Sequence, residues 1–180
     1  DPGELLGLVP TMGSLHEGHL ALINRAIDEN VQTIVTIYVN PTQFNDKNDL
    51  NKYPRNLKSD LDKLKHLQNI FIYAPQDKDL YKEVEAKKYD LDDLDKVLEG
   101  KFRPGHFNGV ATIVEKFFNL FKPNNAYFGE KDFQQLTIIK TLAKKLNLNI
   151  NIIACATVRE TDGLAMSSRN ILMTKEERIN

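Results

Sequence analysis

Short apolar runs alternate with longer amphipathic stretches along this chain of 180 residues. Five of the runs, Leu5–Val9, Thr33–Val39, Ile70–Tyr73, Ala126–Phe128 and Asn149–Cys155, are brief and mostly β-branched or aromatic, which favours strands. They show little alternation of polar and apolar positions, so both faces of each strand are expected to be covered, as in a parallel sheet. The stretches between them repeat apolar residues at helical spacing. Leu57, Leu61, Leu64 and Leu67 line one such face, and Val110, Ile113, Val114, Phe117 and Phe121 a second. Leu136, Ile139, Leu142, Ala143 and Leu146 line a third. Strand and helix in regular alternation predict an α/β domain, a doubly wound parallel sheet with helices on both faces. Ligands in such sheets sit at the carboxyl ends of the strands. The charged stretch Lys87–Lys96 is expected to be a solvated surface segment.

The first strand runs directly into Pro10-Thr11-Met12-Gly13-Ser14-Leu15-His16-Glu17-Gly18-His19, and helical spacing resumes at Leu20. Thr11, Gly13 and Ser14 are small residues suited to a tight turn. A strand, a glycine turn and a helix N-terminus commonly bind phosphate. Three readings compete for the two histidines. Histidines three apart share a helix face and can ligate a metal, but zinc-protease helices space them four apart. They can equally be polar residues that start a helix. In the third reading the imidazoles and free backbone N–H groups donate to phosphate oxygens, and Gly18 lets an adenine ring lie against bare backbone.

Composition narrows the class. Hydrophobic residues at 41% and charged residues at 27% are globular values. A net charge of −1 leaves no electrostatic footprint for non-specific nucleic-acid binding. A single cysteine, Cys155, excludes an intrachain disulfide framework and suits a reducing, cytoplasmic setting. No apolar run reaches membrane-spanning length. The chain starts at Asp1 just before the first strand, and Thr174-Lys175-Glu176-Glu177 signals a helix that stops at Asn180. Both ends lead us to expect a fragment of a longer protein.

The string PTMGSLHEGH closely resembles the opening motif of the pantothenate synthetase (pantoate–β-alanine ligase) family, within the superfamily named for its His-x-Gly-His signature. The resemblance continues in order through "YVNPTQF" at 38–44, "YPR" at 53–55 and "LEGKFRPGHFNGVATIVEK" at 98–116. "AYFGEKDFQQL" at 126–136 and "TVRETDGLAMSSRN" at 157–170 complete it. The family's smaller C-terminal domain has no counterpart within these residues, and its acidic cluster after Tyr-Pro-Arg is here Lys58-Ser59-Asp60.

The resemblance implies a Rossmann-like domain over residues 1–180 that binds ATP and pantoate. It also implies a two-step ligase reaction in which pantoate is adenylated and β-alanine then displaces AMP. Catalytic roles would fall to His16, His19, Lys131 and Arg169. ATP would be held by Met12, Gly13, Ser14, Leu15, His16, Glu17, Gly18 and His19 at the first turn. Gly129, Glu130, Lys131 and Asp132 would join them, with Val158 and the loop Met166, Ser167, Ser168 and Arg169. Pantoate falls to Gln43 and Gln135, with Asn40 supporting that pocket and Arg103 and His106 pairing with a substrate carboxylate or phosphate. Taken alone, Gly129–Asp132 also reads as a charged helix start, Ser167-Ser168 as an ordinary loop, and Arg103–His106 as a surface turn. Mg2+ is expected because a metal ion normally neutralises the released pyrophosphate, though its ligands are not legible. A homodimer follows from the resemblance; a nucleic-acid or membrane partner does not. Two other functions stay open at this point: another adenylating nucleotidyltransferase of the superfamily, such as an aminoacyl-tRNA synthetase catalytic domain, and a non-catalytic nucleotide-binding module.

Overall fold

The computed structural model describes residues 5–179. Five strands, β1 (Leu6–Thr11), β2 (Gln32–Ile37), β3 (Ile70–Tyr73), β4 (Asn125–Gly129) and β5 (Asn151–Cys155), form one sheet in the order 3-2-1-4-5, every pair parallel. Alternate side chains of a strand face opposite layers. Leu8, Ala126 and Phe128 accordingly join a core built with α6 (His106–Phe121) and α7 (Phe133–Lys145). Val9, Tyr127 and Cys155 join one built with α1 (Glu17–Glu29) and α3 (Leu57–Leu64). These two cores are the two covered faces expected of a doubly wound sheet.

The strand runs foreseen from sequence are all present, but four have shifted ends. β1 extends two residues past Val9 and includes Pro10, which has no N–H for a ladder. β1 pairs with β2 over all six residues but with β4 only at Gly7 and Leu8. Beyond Leu8 the strands β1 and β4 therefore part, and Pro10 lies where that gap opens. β2 stops at Ile37 rather than Val39, β4 gains Asn125 and Gly129, and β5 begins at Asn151 rather than Asn149.

Two expectations about helices and loops need correction. The leucine face of α3 is only partly buried: Leu64 is in the core and Leu67 packs against it, but Leu57 and Leu61 are 45% and 40% exposed while Asp60, one turn before Leu64, is buried. The helix is turned to bring a carboxylate inward. Lys87–Lys96 does not lie wholly in solvent either, because Leu91 is buried with Phe107 and Ile138 and pins the segment down. Short helices α2 (Lys47–Lys52), α4 (Asp77–Leu80) and α5 (Leu98–Phe102) were not foreseen. The Thr174 signature does start a helix, α8 (Lys175–Ile179), with Thr174 and Glu177 exchanging capping bonds. Asp1 and Asn180 lie outside the described residues. No helix among the described residues is long and apolar enough to cross a membrane.

Candidate active site

The sheet order reverses between β1 and β4, and a cavity of about 350 Å³ opens at their carboxyl ends. This is where an open α/β sheet offers its ligand crevice. One wall is the start of α1. His16 is its N-cap, and its Nδ1 accepts from the Gly18 N–H at 3.1 Å. The Nδ1 of His19 accepts from the His16 N–H at 3.3 Å. With both Nδ1 atoms accepting, each neutral ring carries its proton on Nε2, so two N–H donors remain beyond those the backbone provides. The rings lie 4.0 Å apart between centroids, and both line the cavity. Burial, His16 and the Lys131 ammonium push the His19 pKa down to about 3. Burial and Lys131 lower that of His16 as well. Both imidazoles are thus neutral donors at pH 7.

Three of the backbone N–H groups expected to be free at this turn are engaged. Gly13 N donates to Thr11 Oγ1 at 3.2 Å. Ser14 N and Leu15 N donate to Asp60 Oδ2 and Oδ1 at 2.9 and 2.7 Å. Gly13 and Ser14 lie outside the cavity lining, Leu15 is 1% exposed in the core, and Glu17 faces solvent. A phosphate held here meets the two imidazoles rather than a cradle of amides. Gly18 does line the cavity, but a Cβ there would first strike the His16 ring at 2.9 Å. The missing side chain at position 18 therefore makes room for the cap.

The opposite wall comes from the end of β4. Gly129, Lys131, Asp132 and Gln135 face the cavity, whereas Glu130 is exposed outside it. Lys131 Nζ rests 2.9 Å from Asp132 Oδ1. Past β5, Val158 lines the cavity; its carbonyl accepts from Met166 N at 3.0 Å, leaving its N–H as the available backbone group. Met166, Ser167, Ser168 and Arg169 all reach the cavity. Ser168 Oγ donates to Ser14 O at 3.0 Å, and the Arg169 guanidinium is held by Asp49 on α2 at 2.9 Å while stacking 5.1 Å over Tyr53.

The pantoate candidates are arranged in depth. Gln43 is buried, its Nε2 donating to Met12 Sδ at 3.0 Å and its Oε1 accepting from Asn40 Nδ2 at 3.2 Å. Met12 and Gln43 both line the cavity. Gln135 also lines it and has no hydrogen-bond partner among the described residues. Asn40 does not reach the cavity. Its Nδ2 also donates to Gly109 O, and its Oδ1 accepts from Tyr81 and Thr42, so it braces Gln43. His106 is equally committed: Nδ1 donates to Gln43 O at 2.7 Å, which leaves Nε2 to accept from Arg103 at 3.2 Å. It is buried rather than part of a surface turn, and burial lowers its pKa. Arg103, paired with Glu99, keeps an edge on the cavity.

Sequence reasoning passed over Asp60, Asp49 and Tyr53. Tyr53 sits within the quoted Tyr-Pro-Arg string, and Asp60 within the thinned acidic cluster, so both were in view without a role. Among the described residues no group of three or more histidine, cysteine or acidic side chains can hold a metal. Asp60, 2% exposed and absent from the cavity lining, does not fit as a ligand to a magnesium ion held there.

Fold and cavity together define a domain of the doubly wound α/β class, with paired histidine donors at its switch point. More particularly, the chain belongs to the pantoate–β-alanine ligase family, whose model matches residues 1–180. It is 54% identical over 176 residues to the pantothenate synthetase of Azobacteroides pseudotrichonymphae genomovar. CFP2, covering 97% of this chain and 63% of that protein. The pantothenate synthetase of Bacteroides fragilis is 51% identical over 178 residues, again 63% of its length. Among solved structures, pantothenate synthetase from Thermus thermophilus superposes with a TM-score of 0.93 at 44% identity, covering 98% of this chain and 64% of that one. The pantoate–β-alanine ligase of Francisella tularensis, solved with β-γ ATP and β-alanine, superposes with a TM-score of 0.90 at 45% identity, over 96% of this chain and 66% of that one. The chain thus spans about 63% of the length of the curated relatives it matches.

Proposed function

We propose that this chain carries the adenylating site of an ATP-dependent ligase that joins pantoate to β-alanine. A pantoate carboxylate oxygen attacks the α-phosphorus of ATP, the bond to the bridging oxygen breaks, and pyrophosphate leaves. The β-alanine amine then attacks the carbonyl carbon, the carbon–oxygen bond breaks, and AMP departs with that oxygen. Transfer at phosphorus needs mainly positioning and charge stabilisation. The Nε2–H groups of His16 and His19 supply fixed donors on one side, with Lys131 opposite. Gln43, braced by Asn40 and His106, and the unpartnered Gln135 amide present donors and acceptors to pantoate hydroxyls.

One observation carries the reading: paired imidazole donors and paired glutamines line the same cavity at the β1/β4 gap. The Francisella relative, solved with a nucleotide and β-alanine, supports both substrates. Mg2+ as the ATP chelate, a cytoplasmic setting, a homodimer and a smaller C-terminal domain belong to the same reading. The test is pantoate-dependent exchange of labelled pyrophosphate into ATP. Exchange should require pantoate and fall roughly 10²–10³-fold in His19→Ala, the scale for one preorganised donor. Exchange that ignores pantoate, or that survives His19→Ala unchanged, contradicts the assignment.

A further inference from the structure

We infer that Asp60 is a positioning residue for His16 and His19, its buried carboxylate standing as a resident anion in the concavity that the Gly13–Leu15 turn forms. The inference rests on the ligase reading for its consequence but on geometry for its cause. Gly13 and Ser14 both have positive φ, 74° and 50°, in succession. Neighbouring N–H groups that a turn directs toward one point make a concavity that binds anions. Here that point is taken: Ser14 N and Leu15 N each donate to one oxygen of Asp60, which is 2% exposed. A left-handed serine is strained unless its surroundings hold it. Asp60 does so at the Ser14 and Leu15 N–H groups, and Lys63, three residues on along α3, donates its Nζ to Leu15 O in the next peptide. The next residue is His16, whose backbone N–H is the group that His19 Nδ1 accepts. The bracket on α3 therefore fixes the peptide whose N–H sets the tautomer and direction of the His19 ring, and it places His16 as the N-cap, whose own Nδ1 accepts from Gly18 N. It also takes the Ser14 and Leu15 amides out of reach of a phosphate, so at this turn recognition falls to the two imidazoles.

The α3 rotation noted above belongs to the same device. Burying Asp60 in place of Leu57 and Leu61 gives up apolar burial for a carboxylate held on two amides. A buried charge with such partners serves geometry rather than simple stability.

The experiment is Asp60→Asn in the full-length protein, which replaces one accepting oxygen by a donor facing a backbone N–H. Three quantities are read: pantoate-dependent pyrophosphate exchange, pantoate affinity by calorimetry, and the ring ¹⁵N resonances of both histidines at pH 7. Exchange should slow by roughly 10–100-fold, as expected when donors drift by a fraction of an ångström to an ångström. Pantoate affinity should stay within about twofold, because Gln43 is braced from a separate element. The His19 nitrogens should leave the single Nε2–H pattern for the averaged pattern of a free imidazole. Unchanged resonances with unchanged exchange overturn the inference. So do exchange and pantoate affinity falling in parallel, which is general destabilisation. Absence of exchange in the unmodified protein refutes the ligase reading alone, and the ring resonances then decide Asp60. If Asp60→Asn does not fold, Lys63→Met at its exposed position is read by the same resonances. A partial shift toward averaging supports the bracket, and no shift overturns it.

Discussion

At the residue scale His19 accepts the His16 N–H, and in the proposed reaction it would donate to phosphate; its pKa bears on both. Its folded value of about 3 lies below the ordinary 6.5. Between those values the unfolded chain takes up a proton that the folded chain refuses, so stability falls as pH drops from about 6.5 toward 3. Thermal melts between pH 7 and pH 4 should show a declining Tm, and His19→Gln should flatten the decline. A decline unaltered by the substitution contradicts the buried, neutral assignment. Gln43 makes a second prediction. Replacing it with alanine should weaken pantoate binding about tenfold, the scale of one lost hydrogen bond, while ATP binding stays nearly intact. Equal loss of both ligands in calorimetry contradicts it. The histidine pair stood out locally, at a glycine turn between a strand and a helix, whereas the two glutamines came into view only through the family resemblance, since a glutamine taken alone reads as a surface residue. Asn40 and His106 were legible as site neighbours only. Whether a polar side chain faces a ligand or a carbonyl many residues away is a tertiary fact, and His106 reaches Gln43 O across 63 positions.

Rotation and docking of whole elements decide what the cavity holds. Helical periodicity marks Leu57, Leu61 and Leu64 as one face, and hydrophobicity alone would bury it. The fold buries Leu64 but turns Leu57 and Leu61 outward and Asp60 inward, where its oxygens meet the need of two backbone N–H groups of the first turn for acceptors. No pattern along α3 announces that need, which arises 45 residues earlier. The loop Met166–Arg169 meets a comparable local partner in Asp49 on α2. A guanidinium held there must leave its carboxylate before it can reach a triphosphate. Exposed ion pairs are worth about 0.2–1 kcal/mol. Asp49→Asn should therefore raise ATP affinity about two- to fivefold, the upper part of that range. Calorimetry that finds ATP affinity unchanged or weakened removes the Asp49 contact from the account.

On the scale of the whole molecule, alternating strands and helices were enough to foresee a parallel sheet with two covered faces. The strand order was not written in that alternation. It follows from which strand ends pair, and β1 releases β4 after Leu8 just before Pro10. That parting places the first turn and the Gly129–Gln135 segment on opposite sides of one cavity. The central claim is that a pantoate oxygen attacks the α-phosphorus across this gap, and isotope transfer tests it most directly. Pantoate labelled with ¹⁸O in its carboxylate is turned over with ATP and β-alanine by the full-length protein, and the products are weighed by mass spectrometry. One labelled oxygen should appear in AMP for each pantothenate formed. Label in inorganic phosphate in place of AMP would place the attack at the γ-phosphorus and contradict the account.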